Sequence, residues 1–196
     1  METTLEIEKP IIPSIVRKKF RSDEIHKMIK AGILPEESGW ELIRGEILRR
    51  MSIGSRHVGT VIKLGKIFER MVGDEVFVSS QNPIHLDEYN EPEPDITLLK
   101  PRDDFYTESL PTSSDVLLLV EVSDSTVEYD RETKKTLYAE AEISEFWLIN
   151  LRNNTIEFYT SPKNGVYRSA KVLEKGETIF SEAIGRLSLR VEDILS

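Results

Sequence analysis

Two kinds of apolar pattern alternate along the chain. Short continuous runs, four to eight residues long, read as strands; residues recurring every three or four positions read as helices. In "RSDEIHKMIKAG" acids fill the first turn, Ser22 can cap the start and Gly32 can stop the end, so a short helix is expected. "WELIRGEILRRM" (40–51) reads as a hairpin turning at Arg44-Gly45. In "SRHVGTVIKLGKIFERMVG", Val58, Val61, Ile62, Phe68 and Val72 keep helical spacing, with Ser55 as cap and Gly73 as stop. "EVFVSS", the segment from about Asp95 through "ITLLK", "VLLLVEV" and "EFWLINL" read as strands, and "STVEYDRETKKTLYAEAEI" as the helix between the last two, starting at Ser125 or Thr126. "NTIEFYT", "VYRSAKVL" and "RLSLRVEDI" are further strands with weaker patterning.

This order of elements specifies an α/β (α+β) domain built on one sheet. Residues 1–20 form a polar, Pro-broken lead, and residues 21–196 form a single domain with no linker and no internal repeat. The run "VLLLVEV" lacks polar alternation, as in a central strand of a mixed or parallel sheet.

One residue breaks that run. Glu121 is the only non-aliphatic residue between Val116 and Val122. An unpaired ionised carboxylate in a core costs several kcal/mol. Three arrangements avoid the cost: pairing with Arg or Lys, a strand end pointing into solvent, or a polar cleft that binds a cation. Asp95, between Pro94 and the apolar Ile96, is a turn residue or a second acid at the same end of the sheet. Two such carboxylates would suit a hard divalent cation such as Mg²⁺, which takes oxygen ligands and keeps several waters. Lys134, on the helix after Glu121, either faces solvent as its neighbour Lys135 does or aims its ammonium at the strand's acid.

Composition narrows the classes. The chain has 196 residues, 39% hydrophobic and 31% charged, which suits a soluble globular domain. There is no cysteine, so disulfides and thiolate metal sites are excluded. No apolar run approaches the roughly 20 residues of a membrane helix. The acidic N-terminus lacks the pattern of a secretory signal, and a cytoplasmic location is expected. The net charge of -9 is uneven. Residues 1–70 hold 14 Lys+Arg against 10 Asp+Glu; residues 71–196 hold 12 against 25. An ordinary uneven surface and a polyanion-facing first third both fit this. Walker, GxSxG and HExxH motifs are absent.

Several segments in order, "WELIRGEILRRMS" (40–52), "EPDITLL" (93–99), "LLLVEVSDST" (117–126) and "YDRETKKTLYAEAEISEFWLIN" (129–150), resemble the Uma2 family of restriction-endonuclease-like proteins, assigned to the PD-(D/E)XK nuclease superfamily. The resemblance runs from about residue 20 to the C-terminus. It implies a restriction-endonuclease-like core, a mixed central sheet flanked by helices. It puts the superfamily's Asp at Asp95 and the acid of its (D/E)XK element at Glu121. Ser123 stands where that element has lysine, and the resemblance implies that Lys134 takes the role from the next helix.

On the same footing, Asp95, Glu121 and the backbone carbonyl of Val122 are the expected metal shell, holding one or two Mg²⁺ or Mn²⁺ ions. Asp95, Glu121, Lys134 and Glu41 are the expected catalytic groups. His57 and Gln81 are candidate nucleic-acid contacts, joined by the basic stripe Lys63, Lys66 and Arg70, read from its i, i+3, i+7 spacing on the first long helix, and by the cluster Arg49, Arg50 and Arg56. His57 could equally ligate metal or be an exposed residue at the helix start. Glu46 reads as a surface acid of the hairpin. The implied partners are nucleic acid, DNA first, and a second copy in a homodimer. The competing expectations are a nuclease fold that has lost catalysis and acts by binding, and an interaction protein using "EFWLINL" and Tyr159 at an interface.

Overall fold

The structure, a computed structural model, describes residues 17–35, 39–49 and 54–195. Arg50 of the expected basic cluster and most of the N-terminal lead lie outside those residues. Among the described residues no helix is long and apolar enough to cross a membrane.

Helix α1 (Ser22–Lys30) is followed by a two-stranded hairpin, β1 (Trp40–Ile43) and β2 (Glu46–Arg49). Ile43 pairs with Glu46, which leaves Arg44-Gly45 as a two-residue turn. Both turn residues have positive φ, 53° and 78°, the backbone that such a tight hairpin requires. Gly45 is also a point of close approach: a Cβ there would stand 2.8 Å from Lys19 Cβ. Helix α2 (Ser55–Val72) comes next and ends at Gly73, with φ 56°. Both helices begin one residue away from the expected caps. Arg21 and Gly54 are the N-caps, and Ser22 and Ser55 are the first helical residues. Ser22 spends its hydroxyl on Glu91 Oε2, 2.5 Å away, instead of on its own helix.

Six strands form the main sheet: β3 (Phe77–Ser80), β4 (Ile96–Leu99), β5 (Val116–Ser123), β6 (Glu145–Asn150), β7 (Thr155–Lys163) and β8 (Val166–Leu173). Their spatial order is their sequence order. Only β5 and β6 run parallel; all other neighbours are antiparallel, so the sheet is mixed. The crossover that a parallel pair demands is helical. It consists of α3 (Val127–Tyr129), a π-helical turn (Asp130–Lys134) and α4 (Lys135–Glu140). The expected last strand is shorter than its pattern suggests. Only Ser188–Arg190 (β10) is extended, pairing with β9 (Thr178–Phe180), and helix α5 (Val191–Ile194) follows at once.

Strand β5 divides its side chains between two cores. Leu118, Val120 and Val122 pack with α2 residues Leu64 and Phe68, with Trp147, and with the C-terminal Leu189 and Ile194. Leu119 packs on the opposite face with Val127, Tyr138, Phe146 and Leu148. Glu121 follows the same alternation onto this second face, under the crossover. Phe146, Trp147 and Tyr159 belong to these cores. Each buried aliphatic of β5 contributes about 1.5–3 kcal/mol. The strand can therefore carry one ionisable group whose burial costs several kcal/mol.

Candidate active site

The β4–β5 register brings the two acids together. Ile96 pairs with Val120. One step further along this antiparallel pair, Asp95 stands across from Glu121, on the same side of the sheet. Both are 2% exposed. The backbone N–H of Val122 donates to Asp95 Oδ2 at 2.8 Å, which ties the start of β4 to the end of β5. Gln81, just past β3, donates its backbone N–H to the Asp95 carbonyl at 3.1 Å, so it reaches this end of the sheet through its main chain.

The other groups arrive from three separate elements. Lys134, on the π-helical turn, donates from Nζ to Glu121 Oε1 at 3.1 Å and to Glu41 Oε1 at 2.8 Å. Glu41 comes from β1 and also accepts the backbone N–H of Glu93 at 2.9 Å, which fastens the hairpin to the segment leading into Asp95. His57, in the first turn of α2, places Nε2 3.0 Å from Asp95 Oδ2. It is 7% exposed and reaches inward, not out toward solvent. Its Nδ1 is buried without a hydrogen-bond partner among the described residues, as is the Tyr129 hydroxyl.

These side chains line a cavity of about 320 Å³. Glu41, His57, Asp95, Glu121, Asp130 and Lys134 surround it, together with Arg49 and Tyr129. Asp130 is pinned at its rim by the hydroxyls of Ser123 and Thr126. Burial pushes the Glu121 carboxyl up to about 8, against the lowering pull of the Lys134 ammonium; Asp95, Asp130 and Glu41 add to the rise. Burial likewise raises the Tyr129 hydroxyl to about 12.

A divalent ion fits this donor set. Lys134 and Tyr138 both bind Glu121 Oε1, and among the described residues no hydrogen bond falls on Oε2. Asp95, across from Glu121 on the same side of the sheet, is the neighbouring carboxylate. Among the described residues, no three His, Asp or Glu side chains converge as a metal cage of their own. Two carboxylates and retained waters match Mg²⁺, which seldom uses an all-protein cage.

The remaining expected contacts lie elsewhere. Lys63 does not line the cavity; its Nζ meets the Ile194 carbonyl of α5 at 3.5 Å. Lys66 and Arg70 are exposed further along α2 and do not line the cavity. Arg56 donates to the Leu151 carbonyl at 2.5 Å and to Asn154. Tyr138, Tyr129 and Asp130 were missed from sequence. The one available signal was spacing, since Asp130, Lys134 and Tyr138 recur at every fourth position.

The Uma2 family model, described as "Putative restriction endonuclease", matches residues 23–192. Among solved structures, the chain is similar to "a putative nuclease belonging to DUF820" from Anabaena variabilis ATCC 29413. The TM-score is 0.67 at 17% sequence identity, over 88% of this chain and 95% of that one. No curated protein matches. Likeness at this identity speaks for the fold, and the family match speaks for the lineage. The chain belongs to the Uma2 family.

Proposed function

We propose that the protein is a divalent-metal-dependent endonuclease that hydrolyses phosphodiester bonds in nucleic acid, DNA first. The observation that carries this reading is the meeting of Asp95, Glu121 and Lys134 at one end of the β4–β5 pair, lining one cavity. Family and fold are those of restriction-endonuclease-like nucleases.

Asp95, Glu121 and the Val122 carbonyl would hold one or two Mg²⁺ or Mn²⁺ ions. Such an ion supplies Lewis acidity toward the phosphoryl oxygens and lowers the pKa of a bound water. The chain's own groups do the rest. Lys134 offers an ammonium donor where negative charge develops on the phosphoryl group. Glu41 holds that ammonium from its far side and keeps it aimed at Glu121. His57 and the Val122 N–H fix the orientation of Asp95. Arg49, at the rim, is the basic side chain best placed to meet a phosphate. Two copies of the site in a homodimer would serve the two strands of a duplex.

Purified protein with Mg²⁺ or Mn²⁺ should nick or linearise plasmid DNA, and Asp95→Asn and Glu121→Gln should abolish cleavage. A second reading rests on one observation: Lys134 already gives Glu121 and Glu41 a cation. If that pairing is permanent, the fold is a binding module without catalysis. Mn²⁺ titration separates the two, because only the nuclease reading expects binding that Asp95→Asn weakens.

A further inference from the structure

Tyr138 lies one helical turn beyond Lys134, is fully buried, and donates its hydroxyl to Glu121 Oε1 at 2.5 Å. Lys134 donates to the same oxygen at 3.1 Å. Two donors on one oxygen leave a carboxylate little rotational choice. Oε1 is held toward the crossover helix, and Oε2 is turned to the other side of the group. From this geometry we infer that Tyr138 is a positioning residue, which together with Lys134 presents Glu121 Oε2 to a divalent ion. The inference rests on the metal-site reading of Asp95 and Glu121.

The surroundings of Tyr138 suit a rigid anchor. Its ring packs edge-on against Phe146, with centroids 5.3 Å apart and planes at 62°. Phe146 in turn stacks on Tyr159 at 5.7 Å. The ring is thus fixed in the core while its hydroxyl reaches the acid at the sheet end. The π-helical turn from Asp130 to Lys134 sits just before it. A turn of this kind widens the helix and often occurs at functional sites. Lys134 and Tyr138, one turn apart on the same helix face, converge on one oxygen while Lys135 points away, with Nζ 5.1 Å from the centre of the Tyr159 ring.

The test measures Mn²⁺ binding to the full chain by isothermal calorimetry and by the loss of free-ion electron paramagnetic resonance signal. Tyr138→Phe removes one oxygen and keeps the ring, so the core packing stays intact; circular dichroism and the melting temperature check the fold. Tyr159→Phe is the control, since it deletes a buried hydroxyl that serves Glu157 on the same face of the sheet. Tyr138→Phe should weaken Mn²⁺ roughly tenfold or more, as loss of an outer-shell partner does. Tyr159→Phe should leave the affinity unchanged. DNA cleavage by Tyr138→Phe should recover at high Mn²⁺ with KM for DNA unaltered, which a merely structural defect would not allow. Equal Mn²⁺ affinity in wild type and Tyr138→Phe, with binding lost in Glu121→Gln, overturns the role of Tyr138 and leaves the metal site standing. No Glu121-dependent binding in the wild type overturns both.

Discussion

Lys134 Nζ lies 3.1 Å from Glu121 Oε1, and both side chains are buried. The contact joins a strand whose other residues up to Val122 are aliphatic to a helix turn 13 residues later. It answers the problem posed by an acid in an apolar run: the carboxyl has an ammonium partner and lines a cavity.

Removing the ammonium should therefore be costly. Lys134→Met leaves Glu121 and Glu41 buried beside each other with no cation, a loss of about 3–5 kcal/mol in unfolding free energy. Urea denaturation at neutral pH should show it.

Burial raises Glu121 from the usual 4.5 to about 8. Without metal, the folded state then keeps a proton that the unfolded state has released between those two values. Unfolding is favoured as that proton is lost, so this group's contribution to stability falls as pH rises from about 4.5 to about 8. Glu121→Gln should flatten that part of the profile. Parallel stability curves for wild type and Glu121→Gln across pH 5 to 8 would rule the effect out.

His57 was expected among the nucleic-acid contacts, yet its Nε2 meets Asp95 at 3.0 Å. His57→Ala should weaken Mn²⁺ binding about tenfold, as other outer-shell losses do. Affinity for DNA in the presence of EDTA should change little. A large loss of metal-free DNA binding would instead mark His57 as a phosphate contact.

Gly45→Ala should destabilise the protein by about 1–3 kcal/mol, because the residue holds φ 78° and its new Cβ would press on Lys19. Thermal melting checks this. Since β1 carries Glu41, the substitution should also weaken the grip on Lys134 and lower cleavage more than a distant surface change does.

Much of this was legible in the residues. Glu121 stood out because a carboxylate is expensive among aliphatics, and Asp95 followed from its place at the mouth of the neighbouring strand. Strand and helix types were clear wherever the apolar runs were long. Three things were hidden. Lys134 and Lys135 look alike in sequence; the rotation between successive helix positions sends one to Glu121 and the other to the Tyr159 ring, and nothing local says which. Glu41 and Lys134 are 93 residues apart, and no local pattern reports such a pairing. The stripe Lys63, Lys66 and Arg70 is real helical spacing, but spacing does not say which way the face turns, and Lys63 points to the C-terminal helix.

The most direct test is a crystal soaked in Mn²⁺ and examined for anomalous scattering. A peak between the carboxylates of Asp95 and Glu121, close to the Val122 carbonyl and lost in Asp95→Asn, is the predicted result. Density only at surface carboxylates, with Lys134 still bridging Glu41 and Glu121, would contradict the account.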